Sequence, residues 1–416
     1  MGLLKGYTKQ EISWMMYDWA NSAHSVIVVT LLPIFFDTVA GYTVDSVSSM
    51  STWGYATSIA MAIVALSAPF LGVFGDIRGM RKRLFALFVG IGVVAVALLS
   101  FTPMMDFMSS TAAAGRVAGL ILALYIVSVI GFDASAIYYD AFLTDITTPE
   151  RMDRVSTMGY GLGYIGGSTI PLVIFLVMNL VGIPMLTCLA VIFAITAVWW
   201  LMFSLPLLKN CQQKGGKPYE KGDIGRSIRG VGATMKEIGR NKALLTYIVA
   251  YFFYIDGVHT VISMATTYGT NLGLDSTGML LALLLVQVLG LPFCLLYMKL
   301  SAKFGARVMV GVGICVYMFI CVFGFFMRSL WQFWLLAVLC ATSQGGIQAL
   351  SRSMFGKLLP DKDRSGEFFG FFDIFGKFSS IMGPALVGIV SSAVASGITI
   401  DNICHALISD VLVNIC

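Results

Sequence analysis

Charged side chains are scarce in this chain. Asp, Glu, Lys and Arg make up 12% of its 416 residues, while 58% are hydrophobic and the mean hydropathy is +0.86. A soluble domain carries roughly a quarter charged residues, so this composition describes a polytopic membrane protein. Histidine is scarcer still, with three copies at His24, His259 and His405. No H-E-x-x-H pair occurs, which argues against an intramembrane metalloprotease, and no G-x-S-x-G elbow is present for a serine hydrolase. The absence of G-x-x-x-x-G-K-[ST] means that the chain does not itself power work with ATP. None of the eight cysteines forms a C-x-x-C pair and most fall in apolar runs, so free, packed thiols are expected. Residues 1–11 are polar, with Lys5 and Lys9, and no small-residue cleavage site follows, so no removable signal peptide is read. The expectation is a protein that is not an enzyme and takes no cofactor and no metal.

What is abundant is apolar sequence in span-length runs. A span needs about 20 largely apolar residues. Eleven stretches qualify: 12–37, 52–75, 84–104, 115–141, 155–181, 184–208, 243–269, 276–299, 306–327, 330–356 and 366–396. With the N-terminus in the cytoplasm, 24 of the 27 Lys and Arg residues fall in cytoplasmic segments, counting Arg352 and Lys357 at the end of a span; Arg116 and Arg328 fall outside and Lys377 within a span. Such an asymmetry sets the orientation, and it also explains the net charge of +5 without any nucleic-acid partner. The longest connection divides the chain into a first bundle at 1–208, a linker at 209–242 and a second bundle at 243–416. Within the linker Ile224, Ile228, Val231, Met235 and Ile238 recur at helical spacing between cations, which predicts an amphipathic helix on the cytoplasmic membrane surface. A weak repeat links the bundles: His24-Ser-Val-Ile matches His259-Thr-Val-Ile, each with an aspartate upstream, Asp18 and Asp256. Parallel repeats of this kind suit two bundles related by an axis normal to the membrane.

Six ionisable groups, Asp18, Asp133, Asp140, Asp256, Asp373 and Lys377, lie inside spans. Facing lipid they would together cost roughly 15–20 kcal/mol, so they must face the bundle interior, a wet cavity or one another. At about 1.5 Å per residue, Asp133, Asp256, Lys377 and His24 come out near mid-bilayer, with Gln287 and Gln348 at similar depth. Asp18 and Asn21 share one helical face with Ser22 and Ser25. Asp373 precedes Lys377 by four residues, the favourable order for an intrahelical pair. Asp140, near the membrane edge, is as well placed for a salt bridge to Arg151 or Arg154 as for substrate contact. The alternative for each candidate is an interior hydrogen bond that only tightens packing. The candidate substrate or coupling-ion set is therefore Asp18, Asn21, His24, Asp133, Asp256, Gln287, Gln348, Asp373 and Lys377.

The connection G-V-F-G-D-I-R-G-M-R-K-R at 72–83 resembles the loop between helices 2 and 3 of the major facilitator superfamily, where it acts as a cytoplasmic latch. The matching positions are Gly72, Asp76, Arg78, Gly79 and Arg81. Three further stretches are more specific: Y-D-W-A-N-S-A at 17–23, Y-Y-D-A-F-L-T-D-I at 138–146 with its continuation to 167, and G-G-I-Q-A-L-S-R-S-M-F at 345–355 with its continuation through Lys377. They are similar to the vacuole-effluxer-like branch of that superfamily, which includes fungal vacuolar amino-acid exporters. The resemblance implies an all-α fold of two pseudo-symmetric six-helix bundles and transport by alternating access. It favours a small polar solute, an amino acid first, with export and proton coupling. Alternatives are a drug or metabolite exporter of the same superfamily or, from another class, a membrane receptor. The expected setting is a bacterial cytoplasmic membrane, with the chain a monomer in the lipid bilayer. A twelfth span is expected to be incomplete or missing, because the segment from about 397 carries Asp401, Asn402, His405, Asp410 and Asn414 and no cation follows.

Overall fold

The structure is a computed structural model, and it describes residues 4–43, 46–216, 218 and 223–395. The tail from about 397, where a twelfth span is in question, lies outside the described residues. Among those residues there is no strand. The eleven apolar stretches all form helices: α1 (Lys9–Ala40), α2 (Ser46–Gly75), α3 (Met80–Leu99), α4 (Thr111–Ile146), α5 (Pro149–Leu180), α6 (Met185–Asn210), then α8 (Lys242–Asn271), α9 (Ser276–Phe304), α10 (Ala306–Phe325), α11 (Leu330–Leu358) and α12 (Ser365–Ala395), with α7 (Asp223–Arg240) between the two sets.

Several helices run well past the apolar stretch that announces them, because polar residues at their ends satisfy the exposed backbone. Thr8 and Glu11 close α1 with a reciprocal capping box, Ser110 caps α4 through the Ala113 amide, and Asp275 caps α9 through the Gly278 amide. Alpha-4 ends at Ile146 rather than near 141, so Asp145 is a helical residue and not a loop residue, and Asp140 lies more than a turn from the helix end.

Packing separates the chain into two bodies that meet along one seam. One cluster of buried apolar side chains fills α1–α6 around Trp14, Phe85, Phe142, Phe193 and Trp200. Others fill α7–α12, around Ile248, Phe355, Phe368 and Phe372 and around Met279, Ala282 and Phe333. Along the seam α2 lies against α12 so closely that a Cβ on Gly72 would come within 2.2 Å of the Gly366 carbonyl oxygen. Alpha-5 opens into a wide π turn at Gly163–Thr169. That turn sends the Tyr164 ring between Gly290 of α9 and Gly345 of α11, where added Cβ atoms would sit 2.4 and 2.6 Å from it. Two flush helix contacts and one wedged ring are what permit close approach of the halves.

Alpha-7 packs on the second half, with Val231 and Ile238 against its core. Met235 is turned outward, 60% exposed. The predicted apolar stripe is therefore split across two surfaces; the side chains of Ile224 and Ile228 lie outside the described residues.

Candidate functional site: two charged clusters and a latch on the seam

At the cation-rich end the 72–83 connection joins the two halves through buried polar contacts. Alpha-2 ends at Gly75, and Gly79 takes φ +81°, a left-handed turn that suits glycine, to start α3. This places Asp76 beneath the first turn of α12. Its carboxylate accepts from Arg81 at 2.8 Å and from the backbone N–H groups of Gly366 at 2.7 Å and Glu367 at 2.8 Å. The positive end of a helix in the other half thus meets a buried carboxylate. Arg81 is fully buried, and it also donates to Asp145 at 2.5 Å and to Ser365 Oγ at 2.8 Å. Gly72, Asp76, Gly79 and Arg81 meet here as expected; Arg78 is exposed and takes no part in the Asp76–Arg81 contacts.

Two residues outside the predicted site set add to these contacts: Asp145, from the Y-Y-D-A-F-L-T-D-I stretch, and Gln213. Asp145 Oδ1 accepts from the Lys214 and Gly215 amides at 3.0 and 3.2 Å. Gln213 accepts from the Gly79 amide at 2.9 Å and donates to the Gly75 carbonyl at 2.9 Å. The start of the linker is therefore strapped across the latch. Beside it Arg364 pairs with Glu367 at 3.0 Å and with Glu237 of α7 at 2.7 Å, and Thr234 donates to Glu367.

About 9 Å deeper, six residues before the end of α11, sits Arg352. It counts among the loop cations by sequence, yet its side chain is only 5% exposed. It donates to Asp18 of α1 at 3.1 Å, to Asp140 of α4 at 3.1 Å, and to Ser156 Oγ of α5 at 2.9 Å. Trp14 and Tyr160 flank the guanidinium at 4.6 Å and Tyr139 at 5.2 Å, measured to ring centres. All of these partners belong to the first half, so Arg352 is a plug from one body seated in the other. Asp140 is thereby paired with Arg352 and not with Arg151 or Arg154; Arg151 instead bonds Glu11, and Arg154 lies over the Tyr7 ring. The longer α4 accounts for the correction, since it carries Asp140 inward and away from the loop.

The third cluster lies about 18–20 Å from the cation-rich end, counted along α4 and α12. Lys377 of α12 forms a short ion pair with Asp133 of α4, and Asp373 stands 4.0 Å from the same ammonium. The expected resting partner was Asp373; the ammonium instead reaches across the seam to Asp133. Asp133 Oδ2 and Asp373 Oδ2 are buried without partners. Nearby on α8, Asp256 is half-buried and accepts from the Gly383 amide at 2.9 Å, while His259 Nδ1 lies 2.8 Å from Ser380 Oγ.

The other candidates are not brought into these clusters. His24 is 1% exposed and sealed inside the first half, 3.2 Å from Ser128 Oγ and stacked on Phe132. Asn21 is buried on α1, three residues beyond Asp18. Gln348 is half-buried on α11. Gln287 of α9 is half-buried too, with its Oε1 unpartnered.

Four carboxylates, Asp18, Asp133, Asp140 and Asp373, thus face two cations, Arg352 and Lys377, along the seam of two helical bodies. The fold that carries these clusters matches solved transporters. The proton:xylose symporter XylE superposes with a TM-score of 0.67 at 14% identity, covering 93% of this chain and 90% of that one. The transporter FucP in its outward conformation gives 0.64 at 13% identity, covering 94% and 93%. At such identities the likeness speaks for the fold: two bundles of the major facilitator type, in an integral membrane protein. The protein is a major facilitator transporter and not an enzyme.

Residues 7–397 match the family model described as vacuole effluxer Atg22 like, and the chain belongs to that family. An uncharacterised MFS-type transporter of Bacillus subtilis, YxiO, is 44% identical over 397 residues, which is 94% of this chain and 90% of that protein. Autophagy-related protein 22-1 of Penicillium rubens is 26% identical over 263 residues, 57% of this chain and 44% of the fungal protein.

Proposed function

We propose that this transporter exports a small zwitterionic solute, an amino acid by preference, in exchange for protons. The observation that carries the reading is the Lys377 cluster. One ammonium sits among two carboxylates at mid-membrane depth, and each carboxylate keeps a buried oxygen without a partner. Transporters bind substrate at this depth, between their repeats. A substrate carboxylate can take Lys377 while its ammonium takes Asp133 or Asp373. The excess of carboxylates over cations supports a cationic co-substrate, and the proton is the smallest. Export is favoured because the family is described as effluxers.

In this reading the halves 1–208 and 243–416 rock about the seam as units, joined by 209–242, in a monomer in a bacterial cytoplasmic membrane. The cation-rich end is cytoplasmic, because 24 of 27 Lys and Arg residues lie there. The latch and the Arg352 plug then close the cytoplasmic side, which is the outward-facing state. The test is radiolabelled amino-acid transport in proteoliposomes under an imposed pH gradient. Gradient-driven accumulation that is lost in Asp133→Asn while exchange persists is the expected result. Full accumulation in both Asp133→Asn and Asp256→Asn would remove proton carriage from the mid-membrane cluster.

A further inference from the structure

We infer that Arg352, Asp18 and Asp140 form a lock between the halves that a proton on Asp140 releases. Opening of the cation-rich end has to withdraw Arg352, on α11, from partners that all lie on α1, α4 and α5. A guanidinium has one charge and here meets two carboxylates, so one of the three groups is always in excess. The two acids are not equivalent. Asp18 is 10% exposed, whereas Asp140 keeps 24% of its side chain exposed, so a proton from solvent reaches Asp140 first. When it forms an O–H bond there, Asp140 ceases to attract Arg352, and Arg352 stays neutralised by Asp18. The net charge of the trio rises from −1 to 0, and the second half is held by one ion pair in place of two.

The neighbours leave this step to the trio. The other ionic groups whose charge reaches Asp140 are Lys377 and Asp373 on α12, themselves tied to Asp133. The remaining titratable side chains around the trio are phenols and one thiol: Tyr17 on α1, Tyr139 on α4, Tyr160 and Tyr164 on α5, Tyr251 on α8 and Cys294 on α9. Such groups carry little charge below about pH 8. The device serves exchange directly: a proton taken from the outer side unlocks the inner side, and its departure there lets Arg352 reseat. It rests on the alternating-access reading, and not on the assignment of the Lys377 cluster to substrate.

The experiment places spin labels at Arg83 and Lys362, exposed positions at the cation-rich end of the two halves, in the full chain with native cysteines replaced. Distances are measured in lipid nanodiscs at pH 8 and pH 5.5 without substrate. In the parent the long-distance population rises on acidification by about tenfold, as a single-proton switch allows. In Asp140→Asn it is already high at pH 8 and changes little. Asp133→Asn keeps the parent's pH response even where it abolishes gradient-driven transport, which separates this proposal from the preceding one. If Asp140→Asn folds poorly, the double variant Arg352→Gln/Asp18→Asn serves, since it removes one carboxylate charge along with the cation, and it too should be open at both pH values. A full pH response in either Asp140→Asn or the double variant overturns the lock.

Discussion

Two cations of the seam, Arg352 and Lys377, sit in opposite kinds of environment. Arg352 is saturated: its guanidinium donates to two carboxylates and to Ser156, and aromatic rings flank it. Lys377 is under-used by comparison: one short bond to Asp133, a second carboxylate at 4.0 Å, and two buried oxygens left over. A saturated site has no capacity for a substrate, and its ion pairs are made or broken as a proton arrives or as the halves move. A site with spare acceptors around a spare donor is incomplete until something binds. The difference teaches that burial of a charge in a transporter does not by itself mark the substrate site; the count of unmet partners does.

The comparison breaks hardest at Arg352. Arg352→Gln strands Asp18 and Asp140, and removal of one member of a buried ion pair costs about 3–5 kcal/mol. A large drop in thermal stability in detergent is expected, part of it restored by Asp18→Asn in the same chain. An unaltered melting temperature in Arg352→Gln would mean that the cation is not the fastener it looks to be.

Lys377→Met should show the reverse balance. Transport is abolished, while stability falls less than in Arg352→Gln, because Lys377 keeps 19% of its side-chain surface exposed against 5% for Arg352 and makes fewer bonds. Adding Asp133→Asn should recover folded yield but no transport. Recovery of transport in the double variant would show that the cluster is structural and that the substrate binds elsewhere.

A smaller effect is expected where α5 meets the lock from behind. A Cβ on Gly159 would lie 2.4 Å from Asp18 Oδ2, so Gly159→Ala pushes Asp18 off Arg352. Overpacking of this kind costs typically about 1–3 kcal/mol. Gly90→Ala is the control, since a Cβ there meets nothing within 4 Å and helix propensity favours alanine. Equal melting temperatures for the two alanine variants would mean that Asp18 has room to move without loss.

Much of this was legible before any coordinates. Hydropathy found all eleven helices, the latch residues Asp76 and Arg81 meet as their motif implies, and depth counting brought Asp133 and Lys377 to one level. The misreadings share one physical cause. Apolar runs underestimate helix length, because a helix in a bundle continues into polar sequence as long as seam partners satisfy it. Arg352 and Asp140 were therefore placed at the membrane edge, when both lie on helical turns inside the seam. The signal that could have found Arg352 was the Q-A-L-S-R-S stretch, where two serines flank the arginine and apolar Ala349-Leu350 and Met354-Phe355 stand on either side, instead of the chain opening into a loop. His24 failed differently. Its depth was right, but depth says nothing about which way a helix is rotated, and the ring faces Phe132 and Trp200 inside its own half. Gln213 carries no pattern at all, and Asp145, though inside the Y-Y-D-A-F-L-T-D-I stretch, has linker partners that exist only once the linker has folded back over the latch.

The smallest effect sharpens the comparison at the strap. Cys211 follows α6 and opens the strap that Gln213 continues; it is fully buried, with its thiol 3.5 Å from the Gln10 carbonyl oxygen. Burial pushes the thiol up to about 12, against the milder pull of Lys82 in the other direction. Maleimides react with the thiolate, and at pH 8 a group with that value is ionised in only about one molecule in ten thousand. In the closed state Cys211 should therefore resist labelling for hours, in a variant that keeps it as the sole cysteine. Asp76→Asn loosens the latch without touching Cys211, and Gln213→Ala removes the strap's grip on the Gly75–Gly79 turn. Both should speed labelling several-fold while leaving the Lys377 cluster and its transport chemistry intact. If Gln213→Ala speeds labelling and Asp76→Asn does not, the strap opens on its own and takes no part in holding the halves. If both leave the rate unchanged, the strap does not move with the latch at all, and closure of the cation-rich end rests on Arg352 alone.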